Sequence, residues 1–398
     1  MREPFFGMAL ILGLLAAVGP FAIDMYLPAL PRVAEDLGTG ENVVALTLAV
    51  YLLTFGLAQM VYGPMSDAVG RRVPMAIGVG IFAAAAVAAA LAPTIGWMLA
   101  SRALQGLGAA TLMVVPRAVV RDMATGPEAT RIMAAIMIVM SVSPMLAPLA
   151  GSLVLVWGGW REIFLLLAVA ALFSLTLIVL VLPETHPAGR RQTLRLVQLW
   201  EGSKALLCDP RFMGFTMIGA FGTAGLFVYI STASFVYISQ YGLSPIGFSL
   251  AFAVNAMGFF AASQFAGRLA ESLGMERLIA LALHGFAATS LILTGLVWAG
   301  ADVLPVVVSG LFLAFACLGL VIPAVMVMSL DPHPDMAGLA SSIGGTVQML
   351  TGGLMIALTG PFMDSSVLPM AGAIAVCASL AWAAAVVLKP WEANSPKR

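Results

Sequence analysis

Charge is scarce in this sequence, and the scarcity decides its class. Only 10% of the 398 residues are charged, 19 Lys and Arg against 19 Asp and Glu, where soluble domains carry about 25%. The deficit runs the whole length, which excludes a soluble enzyme. Cysteine is nearly absent: Cys208, Cys317 and Cys377 are odd in number, far apart and without a CxxC pair, so they build neither a disulfide framework nor a metal site. His186, His284 and His333 are equally scattered, no HExxH occurs, and no metal or cofactor is expected. Paired carboxylates, a His/Cys cluster and any loop of domain size are missing too. A membrane enzyme, a sensor or a scaffold would have no working parts here, and nothing suggests a nucleic-acid partner.

What the chain has instead is long apolar segments. Hydrophobic residues make up 61% of it, and hydropathy divides them into twelve spans of roughly 20 residues, the length that crosses a bilayer. They fall near 8–31, 43–63, 74–93, 97–118, 132–156, 162–182, 212–238, 246–266, 278–299, 303–328, 338–360 and 367–388. The alternation of a β-barrel is absent, so backbone satisfaction in lipid makes them helices. Met1-Arg2-Glu3 leads into an apolar run too long for a signal-peptide core, which reads as a retained first span. With both termini cytoplasmic, all of the 19 basic residues except Arg32, Arg102 and Arg161 fall on the inner side, as the positive-inside rule asks.

After Leu182-Pro183-Glu184-Thr185 comes the one long linker, polar and basic with Arg190, Arg191 and Arg195. The chain therefore reads as a six-span bundle over 1–183, a cytoplasmic linker over 184–210 and a second six-span bundle over 211–398. The halves echo each other. Gly63, Asp67 and Gly70 follow span 2, and Gly267, Glu271 and Gly274 follow span 8 at the same spacing. A repeat at half the chain length implies two pseudo-symmetric bundles related by an axis along the membrane normal.

The first span carries Asp24, and Met8 to Leu30 is otherwise uncharged. A carboxylate at that depth costs about 2.5–3.5 kcal/mol even on the lenient insertion scale, so it needs a partner, a proton or water. A structural ion pair is one reading; a proton-carrying site is the other, favoured because the longest apolar segments hold no second acid. Pro28 and Pro31 are expected to break the helix as it reaches the far surface. Arg102 lies at a similar depth in span 4, about 8–10 Å below the surface at 1.5 Å per residue, where it either meets Asp24 or snorkels outward as an anchor. Gly63 and Gly70 permit tight helix exits, and Asp67 can face a helix N-terminus. Arg71 and its neighbours are topology anchors in the plainest reading, and Asp122, just past span 4, is a partner for Arg71.

Several stretches together resemble the major facilitator superfamily, and specifically its bicyclomycin-resistance (Bcr/CflA) branch of drug–proton antiporters, along essentially the full length. They are Ile23-Asp24-Met25-Tyr26-Leu27-Pro28-Ala29-Leu30-Pro31, Gly63-Pro64-Met65-Ser66-Asp67 with Gly70-Arg71-Arg72, Arg102-Ala103-Leu104-Gln105-Gly106-Leu107-Gly108, Arg117 with Arg121-Asp122, and Trp160-Arg161-Glu162. The resemblance implies that Arg102 serves proton coupling with Asp24. It also implies that Asp67 and Arg71 latch the halves on the cytoplasmic side, weakly in the second half, where Met275 replaces the arginine. In span 5, Pro144, Pro148 and Gly151 resemble the antiporter's helix-bend signature, with Ala147 and Ala150 where glycine is usual. Proline bends such a helix and small residues let it approach its neighbours.

The remaining intramembrane polar residues are few, and each is first an interhelical hydrogen bond. Tyr26, Tyr51, Tyr229, Asn255 and Gln348 are the candidates for lining a substrate cavity near the midplane between the halves. The expected function is proton-driven efflux of small amphipathic or lipophilic drugs by a monomer in a bacterial cytoplasmic membrane. The alternative is a proton-linked exporter of a sugar, nucleoside or amino acid, which abundant cavity hydrogen-bonding groups would favour.

Overall fold

The computed structural model describes residues 3–124, 126–187, 189 and 196–391. The expected inner-side residues Arg2, Arg190, Arg191, Arg195, Lys397 and Arg398 lie outside the described residues. Among those described, all regular structure is helical. In order the helices are α1 Glu3–Asp24, α2 Leu30–Asp36, α3 Glu41–Val69, α4 Arg72–Ala90, α5 Ile95–Met123, α6 Gly126–Trp157 and α7 Trp160–Leu180. There follow α8 Leu196–Cys208, α9 Pro210–Ser234, α10 Pro245–Leu273, α11 Met275–Trp298, α12 Leu304–Leu330, α13 Ala337–Thr359 and α14 Val367–Leu388. Twelve segments are long and apolar enough to cross a membrane, and they fall where hydropathy placed them. The span with Pro323 is one helix, α12.

The chain divides into two compact units, residues 1–194 and 195–398. In unit 1, α5 packs against α3 and α4, α4 against α7, and α1 against α6. In unit 2, α9 packs against α12, α13 and α14, α10 against α12, and α11 against α12 and α14. Part of the linker is ordered: α8 packs on α9 and α13, with Leu206 joining Phe212, Ala340 and Ile343 in one apolar cluster.

Local chemistry sets the helix ends. Thr94, Asp209 and Ser244 accept hydrogen bonds from backbone N–H groups at the starts of α5, α9 and α10, the ordinary N-cap roles. Gly70 and Gly274 end α3 and α10 at φ 100° and φ 84°, a region closed to most side chains, so the sequence echo between the halves is an echo of backbone. Gly63 does not act as an exit. It lies inside α3, which runs through Pro64 to Val69.

Span 1 departs most from expectation. Its helix stops at Asp24, not at the prolines, and the span resumes through a short 3₁₀ turn at Leu27–Ala29 into α2, reaching Asp36. Pro28 and Pro31 are the second residues of these two pieces, within the first turn, where a backbone N–H has no intrahelical partner to lose. The prolines thus restart the span where they were expected to end it. Asp24 is therefore deeper than the estimate: twelve residues from the Asp36 end, it lies up to about 18 Å along the span at 1.5 Å per residue.

Candidate functional site

The break in span 1 carries the charge in the core of unit 1. Asp24 closes α1 and is 4% exposed; among the described residues, no hydrogen bond or ion pair holds its carboxylate. Arg102, in the third turn of α5, is 0% exposed, which rules out a snorkelling anchor. Its Nη1 donates to the Ala22 carbonyl at 3.0 Å and to Gln105 Oε1 at 2.6 Å. The Ala22 oxygen belongs to the last turn of α1, where a helix leaves carbonyls without intrahelical partners and carries partial negative charge. The guanidinium carbon lies 4.6 Å from the Tyr51 ring centroid, 5.1 Å from Tyr26 and 5.8 Å from Phe164, so aromatic faces take up the rest of the cation's field.

The pair Asp24–Arg102 is thus not formed. Both flank the break, but the arginine is held by a helix end and three rings, and the carboxylate is left to itself. Tyr51 ties this corner to α1 through a 3.2 Å hydrogen bond to the Gly19 carbonyl. Gly151 of α6 faces the break, and any β-carbon there would collide with the Met25 carbonyl oxygen. Pro144 and Pro148 lie inside the same helix. At the far end of span 1, Asp36 accepts from Trp160 Nε1 at 2.8 Å and from Arg161 at 3.4 Å.

A second charged group gathers where α3 and α5 end and α4 begins. Arg71 is buried, with Nη1 on Asp67 Oδ1 at 2.5 Å and on Ser66 Oγ at 2.8 Å. Its Nε and Nη2 reach the two oxygens of Asp122 at 2.7 and 3.3 Å, a bidentate pair. Burial works against the charge, but the Asp122 and Asp67 carboxylates outweigh it and hold the guanidinium above its usual pKa. The structure thus brings Asp67, Arg71 and Asp122 together beside Gly70, with Gly63 contributing its carbonyl to Ser66 Oγ at 2.8 Å.

Glu184 was read only as the end of span 6, yet it completes this group. Its carboxylate accepts from the Arg71 N–H at 2.9 Å and the Arg72 N–H at 3.3 Å, occupying the N-terminus of α4, while Thr185 donates to Asp122 at 3.2 Å. An acid just past an apolar helix was the signal, since helix N-termini attract carboxylates. In unit 2, among the described residues, no ion pair joins Arg268, Glu271, Glu276 or Arg277.

Unit 2 has a different core. Asn255 Nδ2 donates to Tyr229 Oη and to Tyr237 Oη, each at 3.0 Å, and all three residues are buried. Tyr237 is one of the few intramembrane polar residues of the sequence, though not one of those picked out for a cavity; it rides on a π-helical segment, Phe235–Gln240, that extends α9. Gln348 is not drawn in, and its amide lies beside Gly219.

Twelve membrane helices in two units, with a charged corner sealed in one of them, define a multi-pass membrane carrier. The chain belongs to the Major Facilitator Superfamily, whose model matches residues 12–356, and it is a transporter. It is 34% identical over 382 residues to the MFS-type transporter YdgK of Bacillus subtilis, covering 94% of each chain. It is 29% identical over 379 residues to a bicyclomycin resistance protein homolog of Haemophilus influenzae, again covering 94% of each. In fold it matches a crystal structure of a D-xylose–proton symporter with TM-score 0.76 and 16% identity, over 96% of this chain and 97% of that one.

Proposed function

We propose that the protein exports small amphipathic or lipophilic compounds across a bacterial cytoplasmic membrane in exchange for protons, by alternating access, with both termini cytoplasmic. The observation that carries this reading is Asp24, a carboxyl buried at the break of span 1 without a hydrogen bond or counter-ion among the described residues. Charge and burial are costly together in hydrocarbon, so moving this group between water and the closed core moves a proton with it. Facing out, Asp24 takes a proton as the compound leaves; facing in, it gives the proton up as the next compound binds. The two ligands need no shared contact, because each has only to favour the opposite state.

Arg102 keeps positive charge fixed beside the break without consuming the carboxylate, which is what an exchangeable proton site needs. The Arg71 cluster, remote from the break, sets the balance between conformations. Drug efflux is favoured by the likeness to a bicyclomycin resistance protein homolog. The decisive experiment is reconstitution in liposomes with an internal pH dye and an imposed pH gradient. Drug-dependent proton movement is expected with the wild type and none with Asp24→Asn at equal folded protein. Normal exchange by Asp24→Asn would sink the coupling role.

A further inference from the structure

The proton-coupling reading leaves the Asn255 cluster without a task. Tyr229 stacks on Phe252 at 5.4 Å and 13° and meets Phe315 of α12 at 4.9 Å; Phe248 lies 6.1 Å from Tyr237. The group is deep. Asn255 is ten residues into α10 and Tyr229 eleven residues before the span ends at Gln240, so each lies about 15 Å from the α9–α10 turn at 1.5 Å per residue. Polar groups at such depth are costly unless paired.

The hydrogen-bond inventory of this cluster does not close. Both amide hydrogens of Asn255 are spent on the two phenol oxygens, and Oδ1 is buried with no partner. Turned over, the amide would accept from both phenols and strand its own donors instead. In either orientation one edge of a fully buried amide stays unpaired beside the two phenols. The surroundings are also free of charge: residues 212–240, 245–264 and 304–330 contain no Asp, Glu, Lys, Arg or His.

We propose that Asn255, flanked by Tyr229 and Tyr237, is a recognition site for an uncharged, hydrogen-bonding group carried on a planar ring, such as an amide or hydroxyl on an aromatic or heterocyclic compound. The rings stack on the plane, the open amide edge pairs with the polar group, and a lipophilic cation finds nothing to compensate its charge. The role of this site in transport rests on the export reading; its ability to bind does not.

The test is equilibrium dialysis of purified protein with radiolabelled chloramphenicol, an uncharged ring compound with amide and hydroxyl groups, and with tetraphenylphosphonium, a cation without hydrogen-bonding groups. Asn255→Leu is expected to weaken chloramphenicol binding about tenfold, the scale of one buried hydrogen bond, and to leave tetraphenylphosphonium binding within about twofold. Tyr229→Phe, which removes only a hydroxyl, should weaken chloramphenicol binding several-fold, and it carries the test should Asn255→Leu fail to give monodisperse protein. Wild-type protein that does not bind chloramphenicol, or variants that bind it unchanged or lose both compounds alike, would overturn the proposal. Binding lost as expected, without any proton-linked transport by the wild type, would uphold this site and remove the export reading instead.

Discussion

The two units share a backbone plan and differ in what they bury. Unit 1 places a carboxyl and a guanidinium, Asp24 and Arg102, at one break in a helix. Unit 2 buries an amide and two phenols, Asn255, Tyr229 and Tyr237, among helix segments that hold no Asp, Glu, Lys, Arg or His. The turns after α3 and α10 keep the same left-handed glycine, yet one is followed by an arginine bound to two aspartates and the other by Met275. A repeated fold thus need not repeat its chemistry. Here the duplicated scaffold buries charged groups in one unit and neutral hydrogen-bonding groups in the other.

The largest test of this division is to discharge unit 1. Arg102→Met keeps much of the volume but strands the Ala22 carbonyl and Gln105 Oε1, each at about 1–3 kcal/mol for an unsatisfied buried group. Drug-dependent proton movement in liposomes should vanish, and the unfolding temperature in detergent should fall by several degrees. Unchanged coupling would mean that the fixed charge is idle. A smaller effect is expected from Arg71→Met, which gives unit 1 the residue unit 2 already has. Asp67 and Asp122 lose their shared partner, so stability should drop by about 1–3 kcal/mol, less than full burial would cost because Asp67 is half exposed. The labelling rate of a cysteine introduced at the α3–α4 turn should rise, while chloramphenicol binding stays within twofold. The reverse change, Met275→Arg, should be smallest. The new arginine would have the exposed Glu271 four residues earlier, and such surface pairs contribute about 0–1 kcal/mol. A shift of several degrees on thermal unfolding would show that the second turn was waiting for a charge.

The twelve spans were legible because apolar length is a one-dimensional property, written along the chain. Asp24 and Arg102 were legible for the same reason: each is a charge where the surrounding run forbids one. Their relation was not. Equal depth suggested an ion pair, but it could not show that α1 ends at Asp24 and offers Arg102 a carbonyl, or that Tyr26 from the break, Tyr51 from α3 and Phe164 from α7 converge on the cation. The prolines misled because the same missing N–H both stops a helix and starts one. The roles of Glu184 and Tyr237 were not legible because they depend on partners elsewhere in the chain: Glu184 caps a helix more than a hundred residues earlier, and Tyr237 reaches Asn255 from a widened turn that no local pattern announces.

Arg102 has neither a carboxylate partner nor a path to solvent, and this frees it from the ions of the medium. Screening acts on charges that mobile ions can approach. The Arg161–Asp36 pair, 43% and 52% exposed, loosens as salt rises; a guanidinium walled in by three rings and a helix end does not. The contribution of Arg102 to the field at the break is therefore set by the fold, the same in dilute and in concentrated surroundings.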